Sequence, residues 1–379
     1  MTEAPSAPAP GHADPVPLCV DLDGTLIRSD LLWEGLARFW RQHPANLIRS
    51  LDWWLQGRAR LKAEIARRTT VPPASLPWVE SFLTHLRQQH RAGRNLYLVT
   101  ASDRNAAQPV AEHLGLFCET LASDGETNLR SRTKAGALVA RFGERGFDYA
   151  GNSVADLAVW RHARHALVVN APDWLVRRAA RFAPVTATFD CPARRLAPLF
   201  RALRPWAWVR NLLVLVPLGF HPNPGPVLAQ PGPLLALLAF TLCAAAAYLW
   251  DDLMDLETDR SLPISRKRPV AAGLVPLSWA ASGAFAGLLA GLIVAATVNA
   301  WVFLACTAYV LLAMAKPWVG LDCHRYRLFT GFVSSLLRPL AGHAAGAIPL
   351  DPLALAAEAG LCLAWSIGSN LYRRFQTEH

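Results

Sequence analysis

Two stretches of this 379-residue chain space acidic side chains in ways that matter chemically. The first is Asp21-Leu22-Asp23-Gly24-Thr25-Leu26, which follows the apolar run 16–20. At strand spacing both carboxylates point to one side, and Gly24 permits a sharp exit of the chain. A strand ending in two such carboxylates, then Gly-Thr, is what a phosphoaspartyl site needs. The second stretch carries Asp251, Asp252, Asp255 and Asp259, then Arg260 and the cluster Arg266-Lys267-Arg268-Pro269. On a helix Asp251, Asp255 and Asp259 stack at i, i+4 and i+8. Stacked carboxylates repel one another, so the spacing points to Mg²⁺ shared with substrate phosphates, the basic cluster neutralising the remaining charge. A solvated, charged loop at a membrane surface is the alternative, and it leaves the spacing unexplained.

The elements that must position these groups differ between the two halves. Before residue 191, short apolar runs (16–20, Leu96–Val99, Ala166–Val169) alternate with helix-compatible segments, predicting an α/β sheet with its site at the strand carboxyl ends. Residues 31–93, with Leu32, Leu36, Phe39 and Trp40 at helical spacing, predict a helical cap over that site. Trp33, Trp40, Trp53, Trp54 and Trp78 either pack the cap core or meet lipid. Residues 191–205 read as a linker and residues 1–15 as a disordered polar tail without a signal-peptide pattern. From 206 onward, apolar segments near Trp206–Phe220, Pro233–Trp250, Val270–Val298, Ala300–Ala315, Leu328–Ala347 and Leu353–Leu371 predict an all-α bundle of about six spans.

Composition sharpens the division. Residues 206–379 hold 20 of the 66 charged side chains, and the net charge of +10 divides as +8 before that point and +2 after it. A single soluble globule and intrinsic disorder are both excluded. Basic residues concentrate in the loops that share a side with the N-terminal domain, which predicts a multi-pass protein of the inner (plasma) membrane with that domain cytoplasmic. Only four basic residues are lysine, which reflects either genome composition or phosphate binding. No basic run is interleaved with aromatics, so nucleic acid is not an expected partner. The seven cysteines are scattered and include no CxxC pair, which argues against zinc and a disulfide framework.

The soluble motifs, in order, resemble the haloacid dehalogenase superfamily over about residues 16–190: DLDGTL at Asp21–Leu26, Thr100, Lys134, and Gly151-Asn152-Ser153-Val154-Ala155-Asp156. The resemblance implies a Rossmann-like α/β domain in which Asp21 is the nucleophile and Asp23 the general acid and base. It implies that Thr100 and Lys134 hold phosphate oxygens, and that Asp21, Asp23 and Asp156 ligate Mg²⁺. Asn152 stands where the family has an acid, so it would be a neutral ligand.

The membrane half resembles the UbiA superfamily of intramembrane prenyltransferases, in its decaprenyl-phosphate phosphoribosyltransferase-like branch, members of which are fused to haloacid dehalogenase domains. The family's NDxxDxxxD is present with Asp251 in place of Asn, and RPxxWxKN is present at Arg204–Asn211 with Arg210 in place of Lys. This implies Mg²⁺ at Asp251, Asp252, Asp255 and Asp259, phosphate contacts from Arg210, Asn211, Arg260, Arg268 and Lys316, and a family arginine at Arg338. An arginine within a span is a functional candidate by default; pairing of helices is the other reading of Arg338. The family has nine spans, so the resemblance implies a truncated member or a bundle completed by a partner chain. The expected partners are a polyprenyl phosphate or diphosphate lipid, a small phosphorylated substrate and the membrane. Two functions are expected: a Mg²⁺-dependent transferase fused to a phosphatase, or a membrane-anchored phosphatase with an inactive transferase half.

Overall fold

The structure, a computed structural model, describes residues 16–123, 129–190, 196–319 and 324–378. The N-terminal tail and residues 191–195 of the expected linker lie outside the described residues. The chain divides into two compact units at Arg195–Leu196.

The first unit runs β1 (Leu18–Val20), α1 (Leu31–Gln42), α2 (Ala45–Leu55), α3 (Arg58–Arg68), α4 (Glu80–Arg91), β2 (Leu96–Asp103), α5 (Arg104–Leu114), β3 (Glu119–Ser123), α6 (Arg132–Phe142), β4 (Asp148–Gly151), α7 (Leu157–Trp160), β5 (Ala166–Val169), α8 (Asp173–Ala179) and β6 (Val185–Phe189). The strands form one parallel sheet in the order β3-β2-β1-β4-β5-β6. Helices cover both faces, so β1, β4 and β5 are buried throughout and read as short apolar runs. Side chains alternate between the two faces. Leu18, Val20, Leu96, Leu98 and Leu167 pack on one side with Phe82, Leu83 and Leu86 of α4. Cys19, Val99, Tyr149, Ala166 and Val168 pack on the other with Leu138 and Trp160. Strand order reverses direction about β1 and β4, and a crevice at their carboxyl ends is where such sheets bind ligands.

The expected cap needs one revision. α4 belongs to the sheet layer, because its Phe82, Leu83 and Leu86 join the core under β1 and β2. α1 reaches that core only through Leu31, and α2 and α3 contribute nothing to it. The tryptophans also divide: Trp40 and Trp53 are buried, with Trp53 stacked on Phe39 at 5.3 Å, whereas Trp54 is exposed.

A buried ion pair fixes the amino end of β4. Asp148 accepts from Arg94 and, at 2.8 and 3.0 Å, from Arg164. Burial alone would raise its carboxyl, but the two arginines outweigh that and hold it below the usual carboxylate range. A depressed folded-state pKa gives stability that is present above the unfolded value and lost as pH falls through the folded one. Asp148→Asn should therefore cost roughly 3–5 kcal/mol at pH 7, since Arg94 is left buried without its charge partner. Hydrogen exchange of the β1 and β4 amides in the full chain should show that loss, shrinking as pH falls below the ordinary aspartate range.

The second unit comprises α9 (Leu196–Ala202), a 3₁₀ helix over Pro205–Leu215, α10 (Val216–Phe220), α11 (Pro224–Leu228), α12 (Pro231–Met254), α13 (Leu256–Ser261), α14 (Leu277–Val298), α15 (Ala300–Ala315), α16 (His324–Gly346) and α17 (Pro352–Glu378). Four helical stretches among the described residues, not six, are long and apolar enough to cross a membrane: Pro231–Met254, Leu277–Val298, Ala300–Trp318 and Pro352–Leu371. The expected first span is not one long helix: a 3₁₀ segment over Pro205–Leu215 is followed by the five-residue α10, with Pro217 in its first turn. α16 is long, but it places Ser334, Ser335, Arg338 and His343 among its apolar residues. α12 and α14 approach closely through small residues: a Cβ on Gly291 would lie 2.6 Å from Cys243 Sγ and 3.1 Å from Ala239 O.

α16 and α17 are joined by a pair that sequence reading missed. His343 Nε2 lies 3.2 Å from both oxygens of the buried Glu358, and Nδ1 lies 3.2 Å from Ile348 O. A carbonyl only accepts, so Nδ1 carries a proton and Nε2 can engage Glu358 only through a second, shared proton. Glu358→Gln, which removes that acid, is expected to lower the stability of the solubilised chain by about 1–3 kcal/mol. A fall in its thermal unfolding midpoint is the readout.

Candidate functional site

In the first unit, the turn after β1 and the turn after β4 bring the predicted residues together. Asp21 stands at the end of β1, and its Oδ1 accepts from Lys134 Nζ at 2.7 Å. Lys134 projects from α6 and also donates to Tyr149 Oη at 3.0 Å. Tyr149 in turn donates to Asp156 Oδ1 at 2.8 Å. The other Asp156 oxygen accepts from the Asn152 and Ser153 amides at 3.1 and 2.9 Å and from Ser153 Oγ at 2.7 Å. Asp156 thereby caps its own 3₁₀ turn while facing the site. Gly24 has φ of 76°, and a Cβ there would lie 2.0 Å from Asn152 Nδ2. Glycine is required at that position by both conformation and space.

Asp23 sits one strand step further on. Its Oδ1 accepts from the Leu31 amide at 2.9 Å, and its Oδ2 accepts from Ser102 Oγ at 2.5 Å and Thr100 Oγ1 at 3.5 Å. Thr100 also accepts from the Ser102 amide at 3.0 Å, so it orders the strand end that faces Asp23.

Electrostatics separate these acids from ordinary surface carboxylates. Burial pushes the Asp21 carboxyl up to about 7, with Lys134 opposing the rise and Asp156 adding to it. Burial pushes Asp23 up to about 6, reinforced by Asp30 and opposed by the Ser102 hydrogen bond. Burial alone would lower the Lys134 ammonium, but Asp21 and Asp156 hold it above the usual lysine value. Tyr149 is driven well above the ordinary phenol range by burial and by Asp156, so it remains a donor. Two carboxyls with raised pKa values and a fixed ammonium thus share one crevice.

Sequence reading missed four contributors here. Ser102 and Tyr149 carry no motif of their own and act through neighbouring strands. Lys62 of α3 donates to Ala101 O at 2.9 Å, and it is held near Asp30 and Asp23. Asp30 lies just before α1, its carboxyl raised by burial. A cavity of about 20 Å³ beside them is lined by Leu31, Lys62, Ile65 and Ser102. That is room for about one water molecule.

In the second unit, the acids predicted to stack lie where α12 ends. Asp255 leaves helical geometry at φ −100°, ψ 14°, although amide bonds still link Asp255 to Asp251 and Asp259 to Asp255 at 2.9 and 2.7 Å. Asp252 is buried and pairs with Arg204, while Arg268 lies 3.9 Å away. Arg268 instead holds both oxygens of Asp259 at 2.7 and 2.8 Å. Lys316 pairs with Asp251 at 3.1 Å. Arg260 donates to Ala271 O at 2.9 Å and so braces the loop. Burial raises Asp255, helped by Asp251; burial also raises Asp259, opposed by Arg268.

Asp252, Asp259 and Asp251 are thus each paired with a different cation, Arg204, Arg268 and Lys316. Among the described residues no three acidic, His or Cys side chains form a ready metal cage in either unit. The cations predicted to meet phosphate (Arg268, Lys316) hold the acids instead. The donor chemistry nevertheless suits Mg²⁺. Asp252 Oδ2 is buried without a hydrogen-bond partner, and an orphaned carboxylate oxygen among like charges is what a divalent cation satisfies.

Arg338, Arg210 and Asn211 form a separate polar column. Arg338 is fully buried, donates to Asn211 Oδ1 at 2.9 Å and to Ser334 O, and lies over Tyr309 and Phe240 at 4.7 and 5.4 Å. Asn211 donates to Thr241 at 3.2 Å, and Arg210 donates to Tyr248 Oη at 3.3 Å. Arg338 Nη2 has no hydrogen-bond partner. Phe240 and Asp251 are separated by about 16 Å of helix rise, so Arg338 is not gathered with the acids. Arg204, the missed partner of Asp252, could have been found in the segment Arg204–Asn211 that opens the membrane half.

Residues 213–375 match the UbiA prenyltransferase family. An uncharacterized protein, y4nM, of Sinorhizobium fredii is 37% identical over 268 residues, covering 69% of this chain and 50% of that protein. Decaprenyl-phosphate phosphoribosyltransferase of Mycolicibacterium smegmatis is 37% identical over 170 residues, covering 42% of this chain and 52% of the relative. The chain spans about half the length of the curated relatives it matches. A solved substrate-bound phosphoserine phosphatase aligns at 13% identity with a TM-score of 0.33, covering 47% of this chain and 93% of that one. Over residues 213–375 the chain is thus similar to UbiA prenyltransferases, and this stretch is joined to an N-terminal unit with a parallel sheet and an acidic crevice.

Proposed function

We propose that the membrane unit is a transferase that joins a polyprenyl phosphate to a phosphoribosyl diphosphate-type donor, and that the soluble unit hydrolyses a phosphoester. In the transfer, the lipid phosphate oxygen takes the sugar's anomeric carbon as the bond to diphosphate breaks. Buried, unpartnered Asp252 Oδ2 beside Arg204 and Arg268 carries this reading. Mg²⁺, held by Asp251, Asp252, Asp255 and Asp259, would supply charge neutralisation for the departing diphosphate. Arg204, Arg268 and Lys316 then exchange carboxylate partners for phosphate oxygens, and Arg210 and Arg338 offer donors deeper in the bundle. The soluble unit sits on the cytoplasmic side of the inner membrane, on the side of the basic loops.

In the soluble crevice, Asp21 attacks phosphorus and the ester P–O bond breaks, with Asp23 giving its proton to the leaving oxygen. Asp23 then takes a proton from water as that water attacks the aspartyl phosphate, releasing inorganic phosphate and restoring Asp21. Lys134 stays paired and offsets charge through both steps. Asp21, Asp23, Asp156 and Asn152 would hold Mg²⁺ at this site.

The second reading, an anchored phosphatase, draws on the cations already engaged by Asp251, Asp252 and Asp259. Two assays on one preparation of the full chain in nanodiscs separate the readings. Transfer of labelled ribosyl phosphate to polyprenyl phosphate supports the first. Hydrolysis of p-nitrophenyl phosphate without transfer supports the second, and failure of both overturns each.

A further inference from the structure

α2 is amphipathic in the reverse of the usual sense. Its inward face carries Asn46, Ser50 and Trp53, all buried. Asn46 donates to Phe39 O at 2.7 Å, and Ser50 accepts from Trp40 Nε1 at 2.9 Å while donating to Leu47 O at 2.8 Å. The polar groups of this helix are thus spent inside the cap. Its outward face carries Ile48 (73% exposed), Leu51 (55%), Trp54 (58%) and Leu55 (72%). At 100° per residue these four span an arc of about 120°. Such a stripe on a short surface helix has no role in the unit that bears it, because among the described residues of that unit none covers it.

The charge around the stripe identifies what does. Residues 45–68, which make up α2 and α3, contain six basic and two acidic side chains. Arg49, Arg58, Arg60 and Arg67 are exposed, and Glu64 is already bonded to Arg68. Trp54 stands at the edge of the apolar arc, the position an indole takes where hydrocarbon meets headgroups. An apolar face with a tryptophan margin and an arginine flank fits an anionic bilayer surface. The same chain holds four helices able to cross a membrane, so a bilayer is always within tethered reach.

We propose that α2 lies in the interface of an anionic bilayer, with Ile48, Leu51 and Leu55 among the acyl chains and the arginines of α2 and α3 on lipid phosphates. α3 also carries Lys62, which donates to Ala101 O and lies near Asp30 and Asp23, so the lipid-facing part of the cap adjoins the acidic crevice.

The test uses the full chain in nanodiscs of phosphatidylcholine and phosphatidylglycerol carrying a photoactivatable phosphatidylglycerol, with labelled peptides mapped by mass spectrometry. Labelling of the segment 45–57 is expected at roughly fivefold or more above that of α5, a surface helix of the same unit. The triple variant Ile48→Gln, Leu51→Gln, Leu55→Gln changes only exposed positions and should bring α2 down to the α5 level. Pure phosphatidylcholine discs with a photoactivatable phosphatidylcholine should reduce the signal. Equal labelling of α2 and α5 in the unaltered chain, or an unchanged signal in the variant, overturns the proposal. Cross-links from α2 to a second copy in place of lipid overturn it in favour of self-association. Labelling indifferent to lipid charge overturns the anionic assignment.

Discussion

Asp21→Asn is expected to lower phosphoester hydrolysis by the full chain on the order of 10³-fold or more, the scale of losing a covalent nucleophile. The change is close to isosteric: an amide oxygen still accepts from Lys134, so Lys134 and Tyr149 keep their places. The loss should therefore fall on kcat with the cap packing intact. Incubation with ³²P-labelled substrate and acid quenching should trap labelled protein from the unaltered chain and none from the variant. Labelled variant protein, or retained turnover, would place the nucleophile elsewhere.

Asp252→Asn is expected to reduce transfer by about 10²–10³-fold, since it removes charge from the buried position best placed to gather a cation. The variant leaves Arg204 facing a neutral amide. Some loss of stability accompanies this, and the thermal midpoint must be read beside the rate. Raising Mg²⁺ should recover part of the activity if the defect is in metal affinity. Arg338→Gln offers the contrast. Its guanidinium lies far along α12 from Asp252 and bonds Asn211 and Ser334. Its variant should lose activity without any response to added Mg²⁺. Identical metal responses from the two variants would falsify the separation of roles.

The soluble crevice was legible because its chemistry is local in sequence. Two acids at strand spacing, a glycine that must turn, and a lysine on a helix each follow from one short segment. Ser102, Tyr149 and Lys62 were not, because each reaches the site only through sheet pairing or cap packing. The order of strands places Tyr149 beside Cys19 in the register of β1 and β4, and no single segment shows that. In the membrane half, the acidic spacing was visible but its outcome was not. The choice of cation for Asp252 and Asp251 depends on Arg204 and Lys316, which arrive from two other segments, while Arg268 of the same stretch takes Asp259. The same holds for Trp206–Phe220, where an apolar average hid a 3₁₀ segment and a separate short helix.

The central position of β1 also bears on how the chain is made. Leu18 has hydrogen-bonded neighbours at Leu96 and at Asp148, the latter 130 residues downstream. At translation speeds of about 5–20 residues per second, the apolar strand that precedes Asp21 waits on the order of 10 s for its second flank to emerge. During that interval it is an unpaired, aggregation-prone edge. Chaperone capture of nascent chains shorter than about 150 residues, released once β4 clears the ribosome, is the behaviour this strand order demands.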